Sequence, residues 1–150
     1  MKFTEPLDAK MPTYYWRMYC FKEDETLRNN LAFIMFLAEV HLHRQTCYLF
    51  GKDHDVADVP IDHPSCSGQH AVWQYRESSQ RDPESGDLIV DVKPYLMDLE
   101  STNGTFLNGT KMKPAHYYEI KDKDLIKFAK SSRDYVVMKG KPISHALLDE

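Results

Sequence analysis

Asp98-Leu99-Glu100-Ser101-Thr102-Asn103-Gly104-Thr105-Phe106-Leu107-Asn108-Gly109-Thr110 sets two Asn-Gly pairs around a short apolar step. Asn-Gly is the dipeptide that best tolerates the positive φ of tight hairpin turns, so the stretch reads as chain reversal between strands. Working outward, short strand-like runs lie on both sides. Upstream are residues 14–21 (YYWRMYCF), 46–50 (TCYLF), 71–75 (AVWQY), 88–92 and 94–99; downstream are 111–112, 117–120, 125–128 and 135–138. None shows a helical period, and turn residues separate them, the pattern of an all-β sandwich. Residues 77–87 (ESSQRDPESGD) read as a long mobile hairpin tip. Residues 27–38 contain a continuous apolar run, which leaves a long strand, a short amphipathic helix and an inserted segment all open. The expected domain spans 14–139, with tails at 1–13 and 140–150.

Three polar loops carry the residues that can do chemistry. Gly51-Lys52 closes one apolar strand, Ser65-Cys66-Ser67-Gly68-Gln69-His70 precedes another, and Ser101-Thr102-Asn103-Gly104-Thr105 leads on to Asn108-Gly109. Gathered at one end of a sandwich, they offer a cation, several hydroxyls, an Asn amide and backbone N–H groups left open by glycine. That inventory suits a phosphate dianion, which needs charge-assisted donors and short side chains around it. The Asn amide, donor and acceptor together, suits an extended peptide main chain.

Composition excludes several function classes. With 42% hydrophobic and 28% charged residues and a net charge of −4, the chain is ordinary globular material with no global pull on nucleic acid. From Lys111 to Arg133, seven basic residues face three acidic ones, a local excess of +4. No RNA-binding motif accompanies that excess, so RNA is expected as an indirect partner at most. Three cysteines at irregular spacing form no disulfide framework. The charged opening MKFTEPLDAK is no secretion signal, and the longest apolar run, residues 31–38, is too short to span a bilayer, so a soluble intracellular protein is expected. Ser65, Ser67 and His70 lack a Gly-x-Ser-x-Gly elbow, so no catalytic residue is predicted. His63, Cys66 and His70 form one cluster without a second half-site, so neither metal nor cofactor is predicted.

The order Gly51-Lys52, Ser67-Gly68-Gln69-His70 and Asp98 through Asn108 resembles the forkhead-associated (FHA) signature. The stretches VADVPIDHPSCSGQHAVWQYRE, VKPYLMDLESTNGTFLN and YYEIKDKDLIKFAKSSRDYVVM resemble more narrowly the Smad nuclear-interacting protein family, which supplies the FHA subunit of the pre-mRNA retention and splicing complex. The resemblance covers residues 3–139 apart from 27–38. It implies a β-sandwich of about eleven strands in two mainly antiparallel sheets, whose apical loops bind phosphothreonine peptides. It also implies a nuclear, monomeric domain with splicing-complex subunits as partners. Carried over residue by residue, Lys52 stands at the phosphate-gripping position, Ser67 and Thr102 bond the phosphate, and Asn103 holds the peptide main chain. Ser65 lies near the phosphate in some relatives. Gly51, His70, Gly104 and Asn108 take scaffold positions.

Two departures bear on affinity. The family pattern has Arg where this chain has Lys52, which keeps the charge and loses the two-pronged donor geometry. Gly68 stands where many relatives carry a basic residue. Losing one charge-assisted hydrogen bond, about 1.5–3 kcal/mol, weakens binding roughly ten- to a hundred-fold. The alternatives are a scaffolding FHA fold with weak or lost phosphopeptide binding, and a direct RNA-binding accessory domain.

Overall fold

A computed structural model describes residues 3–24 and 33–144. Among the described residues there are eleven strands and no helix: β1 Tyr14–Asp24, β2 Phe33–His41, β3 Cys47–Gly51, β4 Val59–Pro60, β5 Ala71–Arg81, β6 Leu88–Asp98, β7 Thr105–Leu107, β8 Thr110–Lys111, β9 Tyr118–Glu119, β10 Leu125–Phe128 and β11 Arg133–Pro142. They form a six-stranded sheet, β2-β1-β11-β10-β7-β8, and a five-stranded sheet, β4-β3-β5-β6-β9. Every pairing is antiparallel except β3 with β4. This is the expected two-sheet sandwich.

Alternation builds the core. On β1, Trp16, Met18 and Cys20 are buried while Tyr15, Arg17 and Tyr19 lie half-buried on the other face; β11 adds Tyr135 and Val137, and β10 adds Ile126 and Phe128. Across the gap β5 contributes Ala71, Trp73 and Tyr75, and β3 contributes Tyr48 and Phe50. Phe50 and Phe128 stack at 5.1 Å between ring centroids, joining the two sheets beneath the polar loops.

The Ala71–Tyr75 part of β5 is buried on both faces, because residues 3–10, which the sequence suggested as part of a tail, lie against its outer side. Phe3 packs with Leu49, Val72 and Leu99 in a second apolar cluster. The Arg76 guanidinium donates to both Asp8 carboxylate oxygens at 2.9 and 3.0 Å, and Glu5 accepts from the Thr46 hydroxyl and the Gln74 amide. At the other terminus β11 runs on to Pro142, and the Ile143 N–H donates to the Thr13 carbonyl, so sheet order continues beyond residue 139.

Three local expectations change. Residues 33–38 belong to β2, paired antiparallel to β1; residues 27–32 lie outside the described residues. The hairpin tip shrinks from 77–87 to 82–87, because β5 and β6 stay paired out to Arg81 and Leu88. Strand β6 passes unbroken through Pro94. Its carbonyl accepts from Ile120 N–H on the β9 side, so the missing N–H lies off the β5 ladder and costs no rung there.

Candidate functional site

Strand register gathers the loops. Phe50 pairs with Ala71, and Ala71 with Asp98, so Gly51, His70 and Leu99 stand in one row at the same end of the five-stranded sheet. The three polar loops must therefore emerge side by side.

The first close contact demands glycine. A Cβ at Gly51 would sit 1.9 Å from the Gly68 carbonyl oxygen, so only a bare α-carbon allows the approach. Just beyond it, Lys52 N–H donates to the Ser67 carbonyl at 3.0 Å and Asp53 N–H to the Gly68 carbonyl at 3.1 Å. Lys52 is exposed and makes no ion pair among the described residues. Its charge works against the burial that pushes the nearby Cys66 thiol up from its ordinary value.

His70 is fully buried and bridges the second and third loops. Its Nδ1 accepts from Ser67 N–H at 3.0 Å, which puts the neutral ring's proton on Nε2, 2.9 Å from the Gly104 carbonyl it donates to. The imidazole therefore faces the Ser67 amide rather than its hydroxyl, an arrangement that does not activate a nucleophile. The ring stands edge-on to Phe128 at 5.5 Å.

The third loop is tied down by Asp98. That buried carboxylate accepts from Ser101 N–H, the Ser101 hydroxyl and the Thr105 hydroxyl at 2.6–3.0 Å, and Ser101 Oγ in turn accepts from Gly104 N–H. Gly104 takes φ +84°, which favours glycine. Contrary to the hairpin reading, Asn103-Gly104 lies on the crossover from β6 to β7 in the opposite sheet. Only Asn108-Gly109, with φ values of 51° and 83°, makes a tight hairpin turn, between β7 and β8.

Lys52, Ser65, Ser67, Thr102 and Asn103 come together through these loops. Thr102 N–H donates to Ser67 Oγ at 3.2 Å, leaving the Ser67 proton free to point outward. The Thr102 side chain is exposed, with no intramolecular partner for its hydroxyl among the described residues. Asn103 Nδ2 donates to the Ser65 carbonyl at 2.8 Å, which orients the amide and leaves its oxygen and second N–H available. The Ser65 hydroxyl is engaged, accepting from Lys130 N–H at 3.0 Å and lying 2.6 Å from His63 Nδ1. Asn108 stands apart: it ties the β7–β8 turn to β10, accepting from Leu125 N–H and donating to Asp124.

Sequence reasoning gave no part to Lys130, whose backbone N–H holds the Ser65 hydroxyl, or to Asp98 as the loop's anchor. The Asp-x-x-Ser spacing of 98–101 was the available signal for Asp98. Lys130 lay within the basic excess of 111–133, with nothing to place it. His63, Cys66 and His70 do not converge on a common point: His63 turns to Ser65, Cys66 Sγ lies 4.0 Å from the Phe128 carbonyl, and His70 spans Ser67 and Gly104. Among the described residues no group of His, Cys, Asp and Glu side chains has the arrangement of a metal site.

Residues 48–129 match the family model described as the FHA domain. The chain belongs to the FHA domain family. This FHA domain is 49% identical over 136 residues to the FHA domain-containing protein DDL of Arabidopsis thaliana, covering 91% of this chain and 40% of that protein. It is 47% identical over 140 residues to Smad nuclear-interacting protein 1 of Mus musculus, covering 92% of this chain and 33% of that protein. The chain thus spans well under half the length of both relatives. In three dimensions it resembles full-length yeast Pml1p, with a TM-score of 0.70 and 24% identity over 92% of this chain and 99% of that one; at that identity the likeness speaks for the fold.

Proposed function

We propose that this FHA domain reads a phosphothreonine in a protein partner, as a non-catalytic interaction module of the nuclear pre-mRNA splicing machinery. The observation that carries the reading is the grouping of Lys52, without an ion pair among the described residues, with the Ser67 and Thr102 hydroxyls and the oriented Asn103 amide, braced from beneath by His70. Lys52 supplies charge, Ser67 and Thr102 donate to phosphate oxygens, and Asn103 receives the peptide main chain. Gly51, Gly104 and Asn108 shape the loops. Splicing and nuclear location come from the company the chain keeps. One relative is named a nuclear-interacting protein, and the yeast neighbour is described as a splicing factor integrated into the RES complex.

An oriented phosphothreonine peptide library, probed with wild-type and Asn103→Ala protein, tests the reading. Wild type is expected to select phosphorylated over unphosphorylated peptides, and Asn103→Ala to lose the selection while staying folded. No preference for phosphate in wild type would favour the scaffolding alternative.

A further inference from the structure

The far end of the six-stranded sheet holds a second hollow, of about 590 Å³. Strand β1 runs from this hollow at Tyr15 to Lys22, which lines a cleft beside His63 and Cys66, so roughly 23 Å of strand separates the hollow from that cleft. Its form follows from a β-bulge between Tyr14 and Trp16 and from Gly140, where a Cβ would stand 2.3 Å from the Tyr15 carbonyl oxygen. With no side chain there, the chain ends of β1, β2 and β11 surround open space.

The lining combines rings with cations. The Tyr15 and His43 centroids are 4.9 Å apart and perpendicular within about 11°, and His41 stands edge-on to His43 at 5.7 Å. Burial lowers the His43 pKa, with the Arg44 and His41 charges acting the same way, so this ring presents a neutral π-face. Its Nδ1 is buried without a hydrogen-bond partner among the described residues. Arg17 uses Nε on the Tyr19 hydroxyl at 2.8 Å and leaves its terminal nitrogens unbonded among the described residues. Lys141 is exposed and has no ion pair among them. Lys139 also lines the hollow, though its ammonium lies 3.9 Å over the Tyr14 ring. Among the described residues one carboxylate stands beside the site: Glu39, 3.6 Å from Arg17 and 3.8 Å from His41.

A carboxylate or lone phosphate would use the cations and leave the rings idle, and it would fill little of the volume. A nucleotide uses both, its base against a ring and its phosphate on the guanidinium and ammonium. We propose that this hollow binds a short single-stranded RNA segment, with Arg17 and Lys141 on phosphates and Tyr15, His41 and His43 against a base. The local arrangement differs from the 111–133 excess on which the sequence offered RNA binding, because its members come from three remote segments.

Fluorescein-labelled oligouridylate and oligoadenylate, titrated by anisotropy at several salt concentrations, test the proposal. With two phosphate contacts, log affinity should fall against log salt with a slope of about −1.4, a loss of about sevenfold from 50 to 200 mM. Lys141→Gln, at an exposed strand end, should flatten the slope to about −0.7, and Glu39→Gln should tighten binding by removing the competing carboxylate. Asn103→Ala should bind RNA like wild type, and a phosphothreonine peptide should not compete. Backbone amide NMR shifts should map RNA to residues 15–17, 41–43 and 139–141. Absence of binding at low salt, a slope unchanged by Lys141→Gln, or shifts at those residues with polyglutamate or phosphopeptide but not RNA would each overturn it.

Discussion

His70 Nε2 lies 2.9 Å from the carbonyl oxygen of Gly104, 34 positions further along the chain, while Nδ1 of the same ring accepts the Ser67 amide. One neutral, buried imidazole thus fixes the distance between the two loops that present Ser67 and Asn103.

Replacing it should cost stability and binding together. His70→Ala leaves the half-buried Ser67 amide unpaired, strips the Gly104 carbonyl of one of its two donors (Ala129 N–H remains, at 2.9 Å) and opens a cavity beside Phe128. The expected loss is about 2–4 kcal/mol in urea denaturation, with weakened phosphopeptide binding in whatever fraction remains folded.

Gly51→Ala drives a methyl into the Gly68 carbonyl, an atom held by Asp53 N–H. Because the obstacle is backbone, relief needs movement of the whole second loop. Calorimetry should show destabilisation of about 1–3 kcal/mol.

At the binding surface, effects should fall on affinity alone. Lys52→Arg restores a two-pronged donor and should tighten phosphothreonine peptide binding roughly tenfold or more, measured by isothermal titration, with the melting temperature unchanged. An unaltered affinity would mean that Lys52 does not meet the phosphate.

Phe3→Ala probes the N-terminal segment. Burying this ring contributes about 2 kcal/mol, so its loss should raise amide exchange across residues 3–10 and at the Val72 face of β5, leaving the β1–β11 ladder protected.

Burial, with Glu5 and Asp58 adding to it, pushes the Cys47 thiol up to about 12. At pH 8 only about one such group in ten thousand is thiolate. Cys20 and Cys66 are buried, and burial raises both. Ellman's reagent should therefore react slowly with native protein and rapidly with all three thiols once guanidinium is added.

Much of this was legible in the chain itself. Strand-like runs bounded by turn residues marked β1, β5 and β10, and Asn108-Gly109 marked the β7–β8 hairpin because both residues take positive φ. Asn103-Gly104 misled as a hairpin signal, since the same dipeptide serves a crossover loop held by Asp98. The N-terminal segment read as a tail because its anchors are single residues spread over six positions, Phe3, Glu5 and Asp8, with no period to betray them. Strand β2 was ambiguous because an edge strand with apolar residues on both faces has no alternation.

The sequence by itself determined the sandwich and the family, for these rest on local patterns: period-two burial, turn residues, and a motif whose members keep their order. Tertiary structure alone decided which hydroxyls are free and which engaged, that the Lys130 amide reaches the Ser65 hydroxyl, and that Tyr15, His43 and Lys141 share a hollow. Those facts depend on strand register and sheet closure, which bring together atoms tens of residues apart through backbone contacts that side-chain identity does not encode.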